Sequence, residues 1–208
     1  MAKLIDYRQE IMDSNPYHQV VELSLPPTRW VNLNNNTVNE VLKELHIQQG
    51  KYIITRNDVR NVIGKHQIVM ALMWAFADNP HLTNIRPVLN HLDEIVNILD
   101  IDGCKNLPKS EYEKLYLALD TIEHIGMTTA SVLFYFSQLK SEGNHSVAVT
   151  GQIRPHFSDF EELACLVAGT DYFTIIEKIN NVAREIDVST EQLEYFLYRI
   201  NKGEITIN

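Results

Sequence analysis

Residues 122–136 read IEHIGMTTASVLFYF. An apolar-periodic segment stops at Glu123 and His124, turns at Gly126 and restarts as a long apolar run, the layout of two helices joined by a tight hairpin. Backbone N–H groups that open the second helix have no intrahelical partners, so together with the helix dipole they favour a phosphate at that point. The turn alone specifies little, because any two packed helices need a connector of this kind.

Outward from the hairpin, apolar residues recur at three- and four-residue spacings along nearly the whole chain. The pattern predicts helices over 4–13, 37–48, 56–63, 65–78, 86–100, 109–122, 127–140, 159–168, 171–186 and 190–201. Thr37 with Glu40, Ser158 with Glu161 and Ser189 with Gln192 have capping-box spacing, and Thr55 with Asp58 marks a further helix start. Helix 65–78 is apolar on nearly every face and is expected at the centre of the core, with Met73 and Trp74 packed inside; Trp30 is expected to be buried too. Residues 20–25 (VVELSL) alternate and end at Pro26-Pro27, and the tail 204–207 (EITI) has the same character. These two segments are expected to pair as a small terminal sheet. The fold class implied is all-α, an orthogonal multi-helix unit over 1–208. It would hold two intimately packed lobes, near 36–105 and 106–201, with an N-terminal helix and extended segment in 1–35.

Composition narrows the function. With 208 residues, 45% of them hydrophobic, the chain can bury a substantial core. Its longest apolar run, 68–77 (IVMALMWAFA), is well short of the roughly 20 residues a membrane helix needs, and no membrane partner is expected. The opening MAKLIDYRQEIMD has no secretory pattern, so a cytoplasmic location is expected. Cys104 and Cys165 lack a CxxC partner, which suggests buried thiols rather than a disulfide or zinc site. A formal net charge of −9 opposes indiscriminate coating of nucleic acid. Local basic clusters remain at Lys51, Arg56, Arg60 and Lys65, and at Lys105, Lys109 and Lys114; each is either a solvated helix face or a binding face. There is no GxSxG, GxGxxG, Walker loop or HExxH, and the eight histidines show no tight ligand spacing, so neither a cofactor nor a metal site is expected. His81, His91, Asp78 and Asp93 read as scattered surface polarity.

The hairpin glycine followed by Thr129-Ala130-Ser131 and the apolar residues 132–136 resembles the helix-hairpin-helix DNA glycosylases, in whose turn a glycine precedes a lysine or polar residue and then a Thr-Ala pair. The likeness extends to ITRNDV at 54–59 before the core helix, and to VARE at 182–185 with LEYFLY at 193–198. These segments are similar to bacterial proteins described as having an 8-oxoguanine DNA glycosylase fold, and the likeness covers most of 36–201. It implies duplex DNA as partner, with a phosphate held by the backbone of Gly126, Met127, Thr128 and Thr129. It also implies a monovalent cation on the turn carbonyls near Gly126. Arg56, Arg60, Lys65, Lys109 and Lys114 would position the rest of the duplex.

The family's catalytic aspartate position holds Thr150 here, and its nucleophilic lysine position holds Thr128 or Val132, depending on register. None of these supplies the negative charge or the amine the family uses. Glu123, His124, His145 and Asp159 flank the region as stand-ins, although each also suits a plain structural role at a helix end or loop. The leading expectation is a DNA-binding protein that recognises a modified base or distorted duplex, with glycosylase activity not guaranteed by its residues. One alternative is an active monofunctional glycosylase using Asp159 or Glu123. Another is an acidic all-α protein-interaction module that has lost DNA binding.

Overall fold

A computed structural model describes residues 1–77, 81–100 and 105–207; Asp78 and Cys104 lie outside the described residues. In chain order the helices are α1 (Arg8–Met12), α2 (Thr28–Val31), α3 (Asn36–Glu44), α4 (Arg56–Arg60), α5 (Gly64–Phe76), α6 (Leu82–Asn90), α7 (Leu92–Leu99), α8 (Lys109–Asp120), α9 (Met127–Phe136), α10 (Tyr172–Glu185) and α11 (Thr190–Asn201). The strands are β1 (Val20–Ser24), β2 (His46–Gln48), β3 (Lys51–Thr55), β4 (Asn106–Leu107), β5 (Lys140–Ser141) and β6 (Asn144–His145). Short 3-10 turns cover Leu4–Tyr7, Pro16–His18 and Arg154–Asp159. The chain is mostly helical, but two small three-stranded sheets among the described residues replace the expected all-α class.

Helices α5 and α9 form the centre. Ile68 to Trp74 on α5 and Thr129 to Phe136 on α9 are buried without interruption, as their all-round apolar sequences require. The two helices pack directly, with Trp74 meeting Phe136 edge-to-face at 5.1 Å. Each fully buried large apolar side chain contributes roughly 1.5–3 kcal/mol over exposure, so this pair anchors the molecule. The buried cluster around it runs in sequence from Leu4 to Tyr198, which makes the first 35 residues part of the core. Trp30 is buried as expected, its Nε1 donating to the Ala77 carbonyl at 2.8 Å.

The terminal sheet does not form. β1 pairs instead with β3, from Val20 opposite Thr55 to Ser24 opposite Lys51, and the alternation turns Val21 and Leu23 inward. Residues 204–207 form no strand. The helix expected over 37–48 ends at Glu44, because Gln49 and Gly50 both take positive φ, 50° and 74°, and turn β2 back onto β3. Two residues of positive φ match the twist of a tight hairpin. Glu142 and Gly143 repeat the device, at φ 51° and 85°, between β5 and β6. Helix α9 stops at Phe136 rather than 140 because Gln138 takes φ 59° and the Leu139 N–H turns back to the Phe134 carbonyl at 3.1 Å.

Two further expectations fail for tertiary reasons. The helix expected over 159–168 is absent: Ala2 bridges Phe160 and donates its N–H to the Asp159 carbonyl, while Glu162 accepts from the Leu4 N–H. Those long-range bonds hold Phe160 in an extended bridge, and 161–165 follows as turns where its local sequence favours helix. The stretch 86–100 is divided at His91 into α6 and α7. Caps at Thr55–Asp58 and Ser189–Gln192 are full capping boxes, whereas α3 is capped by Asn35 and not by Thr37. Cys165 is exposed, contrary to the expected buried thiol. No helix among the described residues is long and apolar enough to cross a membrane.

Candidate functional site

The hairpin between α8 and α9 is pinned by two buried side chains, Ile122 and Ile125. Between them His124 takes φ 67°, so the left-handed residue of the turn is this histidine and not Gly126. Gly126 is extended, at φ −92° and ψ −175°, and serves as N-cap of α9 without a capping side chain. The helical ladder begins with the Ala130 N–H donating to the Gly126 carbonyl at 3.0 Å. Amides of the first turn, Met127 to Thr129, therefore keep their donors for something outside the helix. Deeper in α9, the Ser131 hydroxyl donates to the Thr128 carbonyl and accepts from the Val149 N–H, both at 2.9 Å. This hydroxyl ties the 147–154 segment to the hairpin helix.

These amides open onto a cleft of about 280 Å³ that also presents His81, Asn84, His124 and Arg154, with Phe76 and Ile85 as its apolar side. None of its described lining residues is a carboxylate. Glu123 stands just outside, 3.2 Å from His124 Nε2 and largely exposed. Phe76 also borders a second cleft of about 680 Å³, lined by Trp74, Gln19, Gln152, Tyr195 and Tyr198. There the two tyrosine rings stack at 6.0 Å, and the buried Trp74 Nε1–H has no hydrogen-bond partner. Glu22 and Glu204 line this second cleft, but each is already ion-paired, to Lys51 and to Arg199 respectively.

The basic residues named from sequence fare differently from the hairpin backbone. Arg56 is fully buried, 2.6 Å from the Glu194 carboxylate, donating through Nε to Gln19 at 2.7 Å. Burial works against its cation, yet Glu194 and Tyr135 outweigh that and its pKa rises. Burial likewise pushes the Glu194 carboxyl up, with Arg56 pulling the other way. Arg56 is thus a core residue that cannot meet DNA, a correction that follows from its place at the start of α4 beneath α11. Arg60 pairs with Glu191 and Lys65 with Asp93, at 2.7 Å for the latter, and neither lines the hairpin cleft. Lys109 and Lys114 are exposed on α8, also away from that cleft.

The proposed reactive positions separate cleanly. Thr128 lines the hairpin cleft whereas Val132 is buried, so only the Thr128 register puts a residue where solvent and ligand can reach. Thr150 is buried, its hydroxyl accepting from the Gln152 N–H at 3.3 Å. Asp159 is held by His156 Nδ1 at 2.8 Å and lines neither cleft. His145 lines a different cleft, at the opposite end of α9. Sequence reasoning missed Arg154, His81, Asn84 and Gln152. Arg154 and Gln152 follow Thr150 at two-residue steps, and that spacing was the available signal. Among the described residues no group of three or more His, Cys, Asp or Glu could hold a metal ion.

No protein-family model, curated protein or solved structure gives a significant match to this chain.

Proposed function

We propose that this protein binds duplex DNA at the hairpin, holding a phosphate on the first-turn amides of α9, and takes an extruded base into the adjoining aromatic cleft. The observation that carries this reading is the adjacency of the two clefts across Phe76. One offers backbone donors, Arg154 and His124 to an anion; the other offers stacked tyrosines, an unpartnered indole N–H and the Gln152 amide to a planar, hydrogen-bonding ring. Extrusion costs a few kcal/mol, least at a mismatched or damaged position, so selectivity for such sites follows. A monovalent cation on the turn carbonyls near Gly126 would belong to the same phosphate site.

Base excision is not part of this reading. Thr128 and Thr150 offer neither amine nor carboxylate, and the carboxylates of the second cleft are engaged by Lys51 and Arg199. The competing reading, an acidic interaction module, draws on the pairing of Arg56, Arg60 and Lys65 with acids.

Met127→Pro separates the two. Position N1 of a helix tolerates proline, which deletes one amide donor, and Gly126 already has the extended backbone that a residue before proline needs. Fluorescence anisotropy with a short duplex carrying an abasic-site analogue should show binding that Met127→Pro and Arg154→Gln each weaken several-fold, with an undamaged duplex bound less tightly. Absence of binding at low salt, or affinity unchanged from the parent in both variants, overturns the proposal in favour of a protein partner.

A further inference from the structure

A third cleft, of about 640 Å³, lies at the other end of α9, around Gln138 and Lys140. The ten residues of α9 put it roughly 15 Å of helix away from the Gly126 amides. Its charge contrasts with the chain as a whole. Among the described residues, Arg60, Lys105, Lys140 and Arg184 line it against a single carboxylate, Glu191, which Arg60 already engages, in a protein of 27 acids and 18 bases.

The remaining three cations are set in place without acidic partners. Lys105 immediately precedes β4, its carbonyl accepting from the Lys140 N–H of β5 at 2.7 Å, and both lysines line this cleft. Arg184 is held by neutral groups, donating to Asn144 Oδ1 at 3.0 Å and to Asn181. Among the described residues no ion pair involves Lys105, Lys140 or Arg184. Like charges gathered in one cleft repel, and an anion between them offsets that repulsion. Arg60 contributes a buried Nε–H with no partner, and its guanidinium lies against the rings of Tyr17 and Tyr135 at 5.5 and 4.9 Å. His145, on the same wall, has its pKa lowered by burial and then by Lys140, with Glu191 pulling the other way and Arg60 adding a lesser lowering.

We infer that this cleft binds a small ligand carrying two or more linked phosphates, with Lys105, Lys140 and Arg184 neutralising them. The volume lies within the range of small-molecule sites, about 300–1,000 Å³, and three cations without acidic partners match the charge of a di- or triphosphate. Both inorganic triphosphate and the phosphate chain of a nucleotide present that chemistry. The site is independent of the hairpin and of the function proposed for it.

Isothermal titration of the full chain with sodium tripolyphosphate and, separately, with ATP tests the inference. Binding is expected for both if phosphates alone are read, and tighter for ATP if the Tyr17 wall also receives the nucleoside. Lys140→Gln and Arg184→Gln should each weaken binding at least tenfold, and Met127→Pro at the hairpin should leave it unchanged. Because both substituted side chains reach solvent, folding is checked by an unchanged circular dichroism melt. An NMR titration should show the His145 ring pKa rising when tripolyphosphate is present. No heat with either compound, affinity unchanged from the parent in both cleft variants, or loss of binding in Met127→Pro would overturn the inference.

Discussion

Arg56 illustrates how far one residue's environment can depart from its sequence context. Threonine-capped and followed by Asp58 and Arg60, it reads as the start of an amphipathic basic helix, yet it lies beneath Trp74, Tyr135 and Tyr195, within 5.7 Å of each ring. Its partner Glu194 comes from α11, and a contact across 138 positions leaves no trace in local periodicity. Removing one member of a buried pair strands the other charge, at a cost of about 3–5 kcal/mol. Urea denaturation of Glu194→Gln should register a loss of that order, and the double variant Arg56→Met with Glu194→Leu should lose less than Glu194→Gln alone. Asp171 is the exposed counterpart. It caps α10, accepting from the Thr174 hydroxyl at 2.6 Å and the Thr174 N–H at 3.0 Å, and that hydroxyl chiefly holds its carboxyl below the ordinary range. A depressed carboxyl pKa gives stability that is complete above the unfolded value, about 3.9, and disappears as pH falls through the folded value. Asp171→Ala should therefore cost about 1 kcal/mol near neutral pH, with the difference from the parent shrinking in acid melts.

At the scale of elements, apolar period and cap together located α4 and α11, whereas the same agreement at Ser158–Glu161 gave no helix because Ala2 and Leu4 bond to that segment. Helix ends were misread where a turn depends on backbone sign. Gln49-Gly50 and Glu142-Gly143 each turn a hairpin just past the expected helix ends at 48 and 140, and the glycine is the local hint of it. The hairpin between α8 and α9 shows the same backbone physics at the site proposed to bind DNA. His124 occupies a left-handed conformation that costs an ordinary residue roughly 1–2 kcal/mol, while glycine there would lose some of that gain to unfolded-state entropy. His124→Gly should thus raise stability by up to about 1 kcal/mol in chemical denaturation. The same change removes an imidazole from the cleft, so anisotropy should show weaker DNA binding in the more stable protein. A variant that is both less stable and equally tight would mean that the histidine relieves the turn rather than serving the ligand.

For the whole molecule, the decisive quantity is how many cations remain once the acids have claimed theirs. Sequence counts gave the total, −9, but the distribution became visible only with the pairs Lys51–Glu22, Arg56–Glu194, Arg60–Glu191 and Lys65–Asp93. Four bases that looked like one surface are consumed in holding β1 to β3, α4 to α11 and α5 to α7. Among the described residues lining the hairpin cleft, Arg154 and one helix terminus are the groups on which the proposed phosphate binding rests, enough to neutralise about one or two phosphates. Counterion release gives a slope of log affinity against log salt of about −0.9 for each phosphate neutralised, so the expected slope is about −1 to −2, shallow for a duplex binder. Screening of the acidic remainder works in the opposite sense and flattens it further. Arg154→Gln should reduce the slope by about 1, leaving binding that barely responds to salt, whereas Lys65→Gln should leave it unchanged because that ammonium is bonded to Asp93. A slope several-fold steeper, or one that responds to Lys65, would mean that the ion pairs open on DNA and that the duplex recruits the basic surface which the folded chain keeps for itself.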